Sequence, residues 1–167
     1  MLLGDVATVV ALFIGYALTS WATLVSFGLL CEGKTRRAQE LHSGSPWRNG
    51  AAGLLLLALG GGAGLGLIGH PLPLLKAVGV LVLAWVLFVV TVGAAGLCMV
   101  VADRMQRQSR DLAPFTAFSR SAAFLIGASL LPLAGWFLFA PALLAVSAGA
   151  GLKALRRPVA ARAEAGA

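Results

Sequence analysis

The side chains of this sequence that could do chemistry are few, and they stand in two short polar stretches. Glu40 and His42 place a carboxylate near an imidazole, a pair able to act as general acid and base if the two met. Two residues apart on a helix, however, side chains diverge. Asp103, beside Arg104 and Arg107, has the pattern of a solvated helix end rather than an acid poised for catalysis. Cys31 and Cys98 lie far apart in apolar surroundings and read as small hydrophobes. His42 and His70 fall in different loops with no Cys or carboxylate pair at ligand spacing, so no metal and no cofactor is expected.

The sequence that must position these groups is mostly hydrocarbon. Of 167 residues, 59% are hydrophobic and 11% charged, against about 25% charged in a typical soluble domain. Mean hydropathy is +0.92. The composition predicts one all-α membrane domain, a polytopic helical bundle, because a helix needs roughly 20 apolar residues to cross a hydrocarbon core of about 30 Å. The spans are expected at about residues 6–30, 50–69 and 74–102, with a final Pro- and Gly-broken segment at 121–152. The first lacks a basic n-region and runs too long for a cleaved signal, so it is expected to be retained.

The formal net charge of +7 would suggest nucleic acid in a soluble protein. Here 12 of the 13 Lys and Arg, all but Lys76, gather in loops 31–49 and 103–120 and in the tail 153–167. That distribution predicts cytoplasmic loops touching anionic lipid, with the N-terminus outside and no nucleic-acid partner. Arg36, Arg37, Arg48, Arg104, Arg107, Arg110 and Arg120 are the candidate contacts for lipid or an acidic partner. Within the first basic loop, GKTRRAQELHSG is expected to form a short surface helix ending near Ser43 and Gly44.

Two further expectations concern the spans themselves. Six glycines lie between Gly60 and Gly69, and Gly60-x-x-x-Gly64 predicts a helix-packing face. The final segment is too long for one crossing, since about 32 residues of helix would measure about 48 Å. A reversal at Pro132, Gly135 and Trp136 would return the basic tail to the cytoplasm, with Gly135 taking the positive φ of the turn and 121–131 forming an arm too short to span. A kinked fourth span is the rival. Arg48-Asn-Gly-Ala-Ala and Arg120-Ser-Ala-Ala each open an apolar arm that ends in a Pro-Gly turn, which suggests one hairpin design used twice.

The order of motifs also carries a resemblance. A basic loop with Arg36 and Arg37 leads through Pro46 and Arg48 into a Leu/Gly run ending Leu67-Ile68-Gly69-His70-Pro71-Leu72. The last segment carries Leu131-Pro132-Leu133-Ala134-Gly135-Trp136 and then Gly149-Ala-Gly151. Over roughly residues 15–155 this resembles the membrane region of bacterial bactofilin-like proteins, the polymer-forming cytoskeletal group. The resemblance implies an inner-membrane module of bacterial type. The soluble β-helix through which bactofilins polymerise has no counterpart here, so filament formation is not implied.

Function follows from what the apolar runs lack. No Asp, Glu, Lys, Arg or His occurs within residues 6–30, 50–69, 77–102 or 121–152, whereas proton relays and ion paths in membranes use ionisable groups at depth. The sequence therefore predicts a non-catalytic membrane scaffold or assembly partner, not an enzyme. It would pack against another membrane protein or a second copy. The alternative is a small channel or transporter subunit in which Thr91, Ser129 and the carbonyls near Pro132 line a path through the broken helix.

Overall fold

The computed structural model describes residues 2–44, 46–109, 111–131 and 133–156. The fold is an all-α bundle, with no strand among the described residues. In chain order the helices are α1 (Leu2–Leu30), α2 (Glu32–Gly44), α3 (Pro46–Leu56), α4 (Gly62–Ile68), α5 (Pro73–Gln108), α6 (Pro114–Leu130) and α7 (Ala140–Arg156). Segments Asp5–Leu30, Trp47–Ile68, Pro73–Gln108 and Gly135–Arg156 are each long and apolar enough to cross a membrane. The chain is thus a multi-pass membrane protein.

Two wide π-helical turns interrupt these rods. Leu57–Gly61 joins α3 to α4 inside the glycine run, and Gly135–Phe139 leads into α7. The second has a clear cause. Pro141, just inside α7, brings no N–H and its ring crowds the carbonyl four residues earlier, so the preceding turn widens. Proline acts differently at Pro73 and Pro114. Both stand at the first turn of a helix, where the missing donor costs nothing, and the residue before each is extended (ψ 125° at Leu72, 142° at Ala113).

The bundle has two ends. At one, α4 reverses into α5 through Gly69–Leu72, and α6 reverses into α7 through Leu131–Ala134. We call this the turn end. At the other lie α2, the start of α3, and the ends of α5 and α7, because Lys153 Nζ reaches Asn49 Oδ1 at 2.7 Å and Gln39 reaches Asp103. We call this the basic end. The last apolar segment is therefore a hairpin, and the kinked-span rival is set aside. The basic tail beyond Arg156 and Pro132 itself lie outside the described residues.

Several expected boundaries are corrected. The second basic stretch, 103–120, is not a loop: α5 continues to Gln108 and α6 already begins at Pro114. Arg, Met and Gln are good helix formers, so α5 runs on after its apolar residues end. At 17 residues, α6 measures about 25 Å rather than the short arm expected from 121–131. α5 itself is about 54 Å long, well beyond the hydrocarbon core. Beside its second half pack α2, with Ala38 against Gly96, and the lower part of α1, through Val25 in a cluster with Ala95, Cys98 and Ala102.

The reversal is built differently from expectation. Gly135 has no positive φ; Leu133 does, at 68°. Gly135 is needed for space, since a Cβ there would lie 2.7 Å from the carbonyl oxygens of both Ala128 and Ser129. Leu133 is exposed and holds a left-handed conformation that costs an ordinary residue about 1–2 kcal/mol. Leu133→Gly is expected to leave the thermal midpoint in detergent unchanged or raise it. Leu133→Val, β-branched at positive φ, should lower stability by about 1 kcal/mol more than it does at an exposed helical site.

The tightest packing joins α3, α5 and α7. Gly53 and Gly149 let α3 and α7 meet backbone to backbone, at the carbonyls of Ala145 and Asn49. Gly93 and Gly151 do the same for α5 and α7, at Ser147 and Val89. Small residues permit this closeness, and dispersion over the contact then holds helices that lipid would not drive together. A second cluster joins α1, α5 and α6 through Val25, Ala95, Cys98, Ala117, Phe118 and Ala122. It engages only the lower part of α1; from Asp5 to Tyr16 every residue is exposed.

Candidate functional site

The polar residues converge at the basic end, and α2 organises them. Thr35 and Ala38 are fully buried, so α2 is not the surface helix expected from its composition. Ala38 lies against Gly96 of α5, where a Cβ on the glycine would come within 2.6 Å of the alanine Cβ. Ala38 also clusters with Ala150 and Ala154 of α7. One face of this helix is made of small residues, and only a helix so faced can lie close along α5.

Three hydrogen bonds then lock the orientation of α2. Gln39 Nε2 donates to Asp103 Oδ2 at 2.5 Å. His42 Nε2 lies 3.0 Å from the Gly93 carbonyl oxygen, which can only accept, so the ring carries its proton on Nε2. Asn49 Nδ2 donates to the Leu41 carbonyl at 2.8 Å and ties the end of α2 to the start of α3. Lys153 of α7 completes the knot by donating to Asn49 Oδ1 and, at 3.4 Å, to the Arg48 carbonyl. Ser121 plays the part in α6 that Asn49 plays in α3. Each follows an arginine and is buried, and Ser121 Oγ lies 2.8 Å from the Cys98 carbonyl of the preceding helix.

The arginines face outward from this knot. Arg36, Arg48, Arg104, Arg107 and Arg120 are exposed and Arg37 is half-buried, while Arg110 lies outside the described residues. Arg36 pairs with Glu32 at 2.7 Å, an exposed i,i+4 contact that contributes little to stability. A shallow depression between α2 and α5 is lined by Arg36, Glu40, Asp103, Arg104 and Arg107. Glu40 is on its rim while His42 turns into the bundle, so the sequence pair is not brought together. Asp103 is held by Gln39. Cys31 and Cys98 are both free thiols.

Burial lowers the pKa of His42 below its usual value, the Gly93 hydrogen bond opposing the shift in part. The neutral ring is thus favoured in the folded state. Its contribution to stability is complete above about pH 6.5, the unfolded value, and is lost as pH falls from there toward the folded pKa. The thermal midpoint is expected to drop on acidification through that window. His42→Gln, which keeps a donor for Gly93 without titrating, should flatten the dependence. An unchanged profile in that variant would remove His42 as its source.

The remaining predicted residues lie elsewhere. Gly60 faces Val86 and Gly64 faces Leu83 of α5, where an added Cβ would meet side-chain carbon at 2.8 and 2.7 Å. Trp136 is exposed near the turn end, its ring stacked on Phe13 of α1 with centroids 6.2 Å apart. Thr91 and Ser129 share the wall of a cavity among α1, α5, α6 and α7. Sequence reasoning missed His42, Asn49 and Lys153 as a unit. Only Asn49, a lone amide opening an apolar run, offered a signal.

Set against protein-family models, curated proteins and solved structures, the chain matches none.

Proposed function

We propose that this chain is a non-catalytic scaffold of a bacterial inner membrane, which presents a rigid basic platform to anionic headgroups and to a membrane-protein partner or a second copy of itself. The observation that carries the reading is the docking of α2. The helix is pinned to α5 by Gln39 and His42 and to α3 by Asn49, while Arg36, Arg48, Arg104 and Arg107 project from it and from its neighbours. Fixed cations lose less freedom on binding than those of a mobile loop, so the same charge binds more tightly. In this reading the basic end is cytoplasmic, following the Lys and Arg bias, and the turn end faces outward.

The test is stability in nanodiscs of two compositions. With phosphatidylglycerol in place of phosphatidylcholine, the thermal midpoint should rise, each arginine near the surface contributing about 1 kcal/mol. The triple reversal R36E/R104E/R107E should abolish the rise while the fold survives in detergent. A preference that persists in this variant would sink the platform. The alternative, a small channel or transporter subunit, would place its path in the cavity that Thr91 and Ser129 share. Ion or solute flux through sealed proteoliposomes of the pure chain would replace the scaffold reading with it.

A further inference from the structure

We propose that the slot between α1 and the helices α5, α6 and α7 holds one acyl chain of a phospholipid drawn from the leaflet at the turn end. The proposal is independent of the basic platform at the other end. The slot has two chambers. The inner, of about 390 Å³, reaches from Tyr16 down to Leu24, Leu97 and Cys98. The outer, of about 510 Å³, lies between Leu12, Phe13 and Trp136. Tyr16, Ser129 and Ala140 line both, so the two chambers adjoin along the slot.

Four observations select hydrocarbon over water or an ion. First, among the described residues neither chamber is lined by Asp, Glu, Lys, Arg or His, so nothing there would stabilise a charge. Second, three of the wall's hydroxyls are spent on their own helices. Thr23 donates to Thr19 O, Thr91 to Leu87 O and Ser129 to Leu125 O, each at 2.7 or 2.8 Å. These satisfy themselves against their own helices and present methyl or methylene surface to an occupant.

Third, the mouth opens sideways. Leu12, Tyr16, Leu87 and Leu144 are all exposed at its edge, and α1 above Tyr16 touches little else. In a membrane, that edge meets lipid tails and not solvent. Fourth, the depth matches. From Leu12 to Leu24 the slot follows α1 for about 18 Å. Half the hydrocarbon core, the depth of one leaflet, is about 15 Å. Trp136, stacked on Phe13 at the outer chamber, is of the residue type that favours the bilayer interface.

The test uses the full chain in nanodiscs of phosphatidylcholine carrying a photoreactive diazirine at the end of one acyl chain. After illumination, peptide mass spectrometry should find labelling at Leu97 and Ser147, in the inner chamber, in addition to the freely exposed Leu81. Ala94→Phe, which fills the chamber, should cut the inner labelling about tenfold and leave Leu81 unchanged. Ile126→Trp, approaching from the opposite wall, is the second variant should the first fail to fold. Inner labelling that persists in either folded variant, or that never exceeds background in the native chain, overturns the proposal. So does rapid reaction of Thr91→Cys, without Cys31 and Cys98, with a water-soluble thiol reagent, since the slot would then be wet.

Discussion

Gly149→Leu is expected to leave no folded bundle. The α-carbon of Gly149 rests against the Asn49 carbonyl, and its neighbour Gly151 against that of Val89, so α7 touches α3 and α5 backbone to backbone. Ordinary overpacking costs about 1–3 kcal/mol, because side chains can shift. Here the obstacle is main chain held in a helix. A Leu would force α3 and α7 apart, breaking the Lys153–Asn49 contact and the fastening of α2 along with them. Gly93→Leu should fail the same way against Ser147. Gly61→Leu is the control, since nothing lies within 4 Å of the Cβ it would add. Gly60→Leu and Gly64→Leu should fall between, because the closest groups they meet, Val86 and Leu83, are side chains that can turn, although Gly64 also faces the Gly79 carbonyl oxygen at 3.3 Å from an added Cβ. The readout is the cooperative unfolding transition in mild detergent, alongside the monodisperse peak on gel filtration. A Gly149→Leu protein that melts like the native chain would mean that the three-helix seam is not as drawn.

The second large effect is all-or-none labelling across the membrane. In a background without Cys31 and Cys98, single cysteines at Leu72 and Leu131 should react alike with an impermeant thiol reagent on intact cells. Cysteines at Gly33 and Arg156 should react only after permeabilisation. The pairing rests on the fold: both reversals sit at the turn end, and Lys153 beside Asn49 holds the end of α7 with the start of α3. The choice of the outer side rests on the positive-inside bias, 12 of the 13 Lys and Arg belonging to the basic stretches and tail, with Lys76 the exception. Labelling of 131 and 156 from the same side would remove the hairpin. A full inversion, with 33 and 156 reactive and 72 and 131 protected, would keep the fold and reverse the proposed orientation.

Residues 6–30, 50–69 and 74–102 announced their helices in sequence because a bilayer admits only apolar segments of matching length. The reversal in the last segment was legible for the same reason, from a run too long for one crossing and broken by proline and glycine. Polar helix was harder to read. Asp103–Gln108 and Pro114–Arg120 are helical although no apolar run marks them, since propensity and an N-terminal proline suffice once neighbouring helices supply the packing.

Sequence by itself determined that the chain is an all-α membrane protein with several long apolar rods, and that its charge lies at the ends of those rods. These are consequences of solvent, since lipid rejects charge and unpaired backbone whatever the fold. Tertiary structure alone decided which glycines matter and where the polar groups go. The dense run at Gly60–Gly66 contains positions that meet nothing, while Gly53, Gly93, Gly149 and Gly151, scattered along three helices, stand where backbones cross. His42 looked like a lone loop histidine and proved to reach Gly93, 51 residues away in sequence. A crossing point depends on the rotation and tilt of two helices together, and that relation is written in no single stretch of either one.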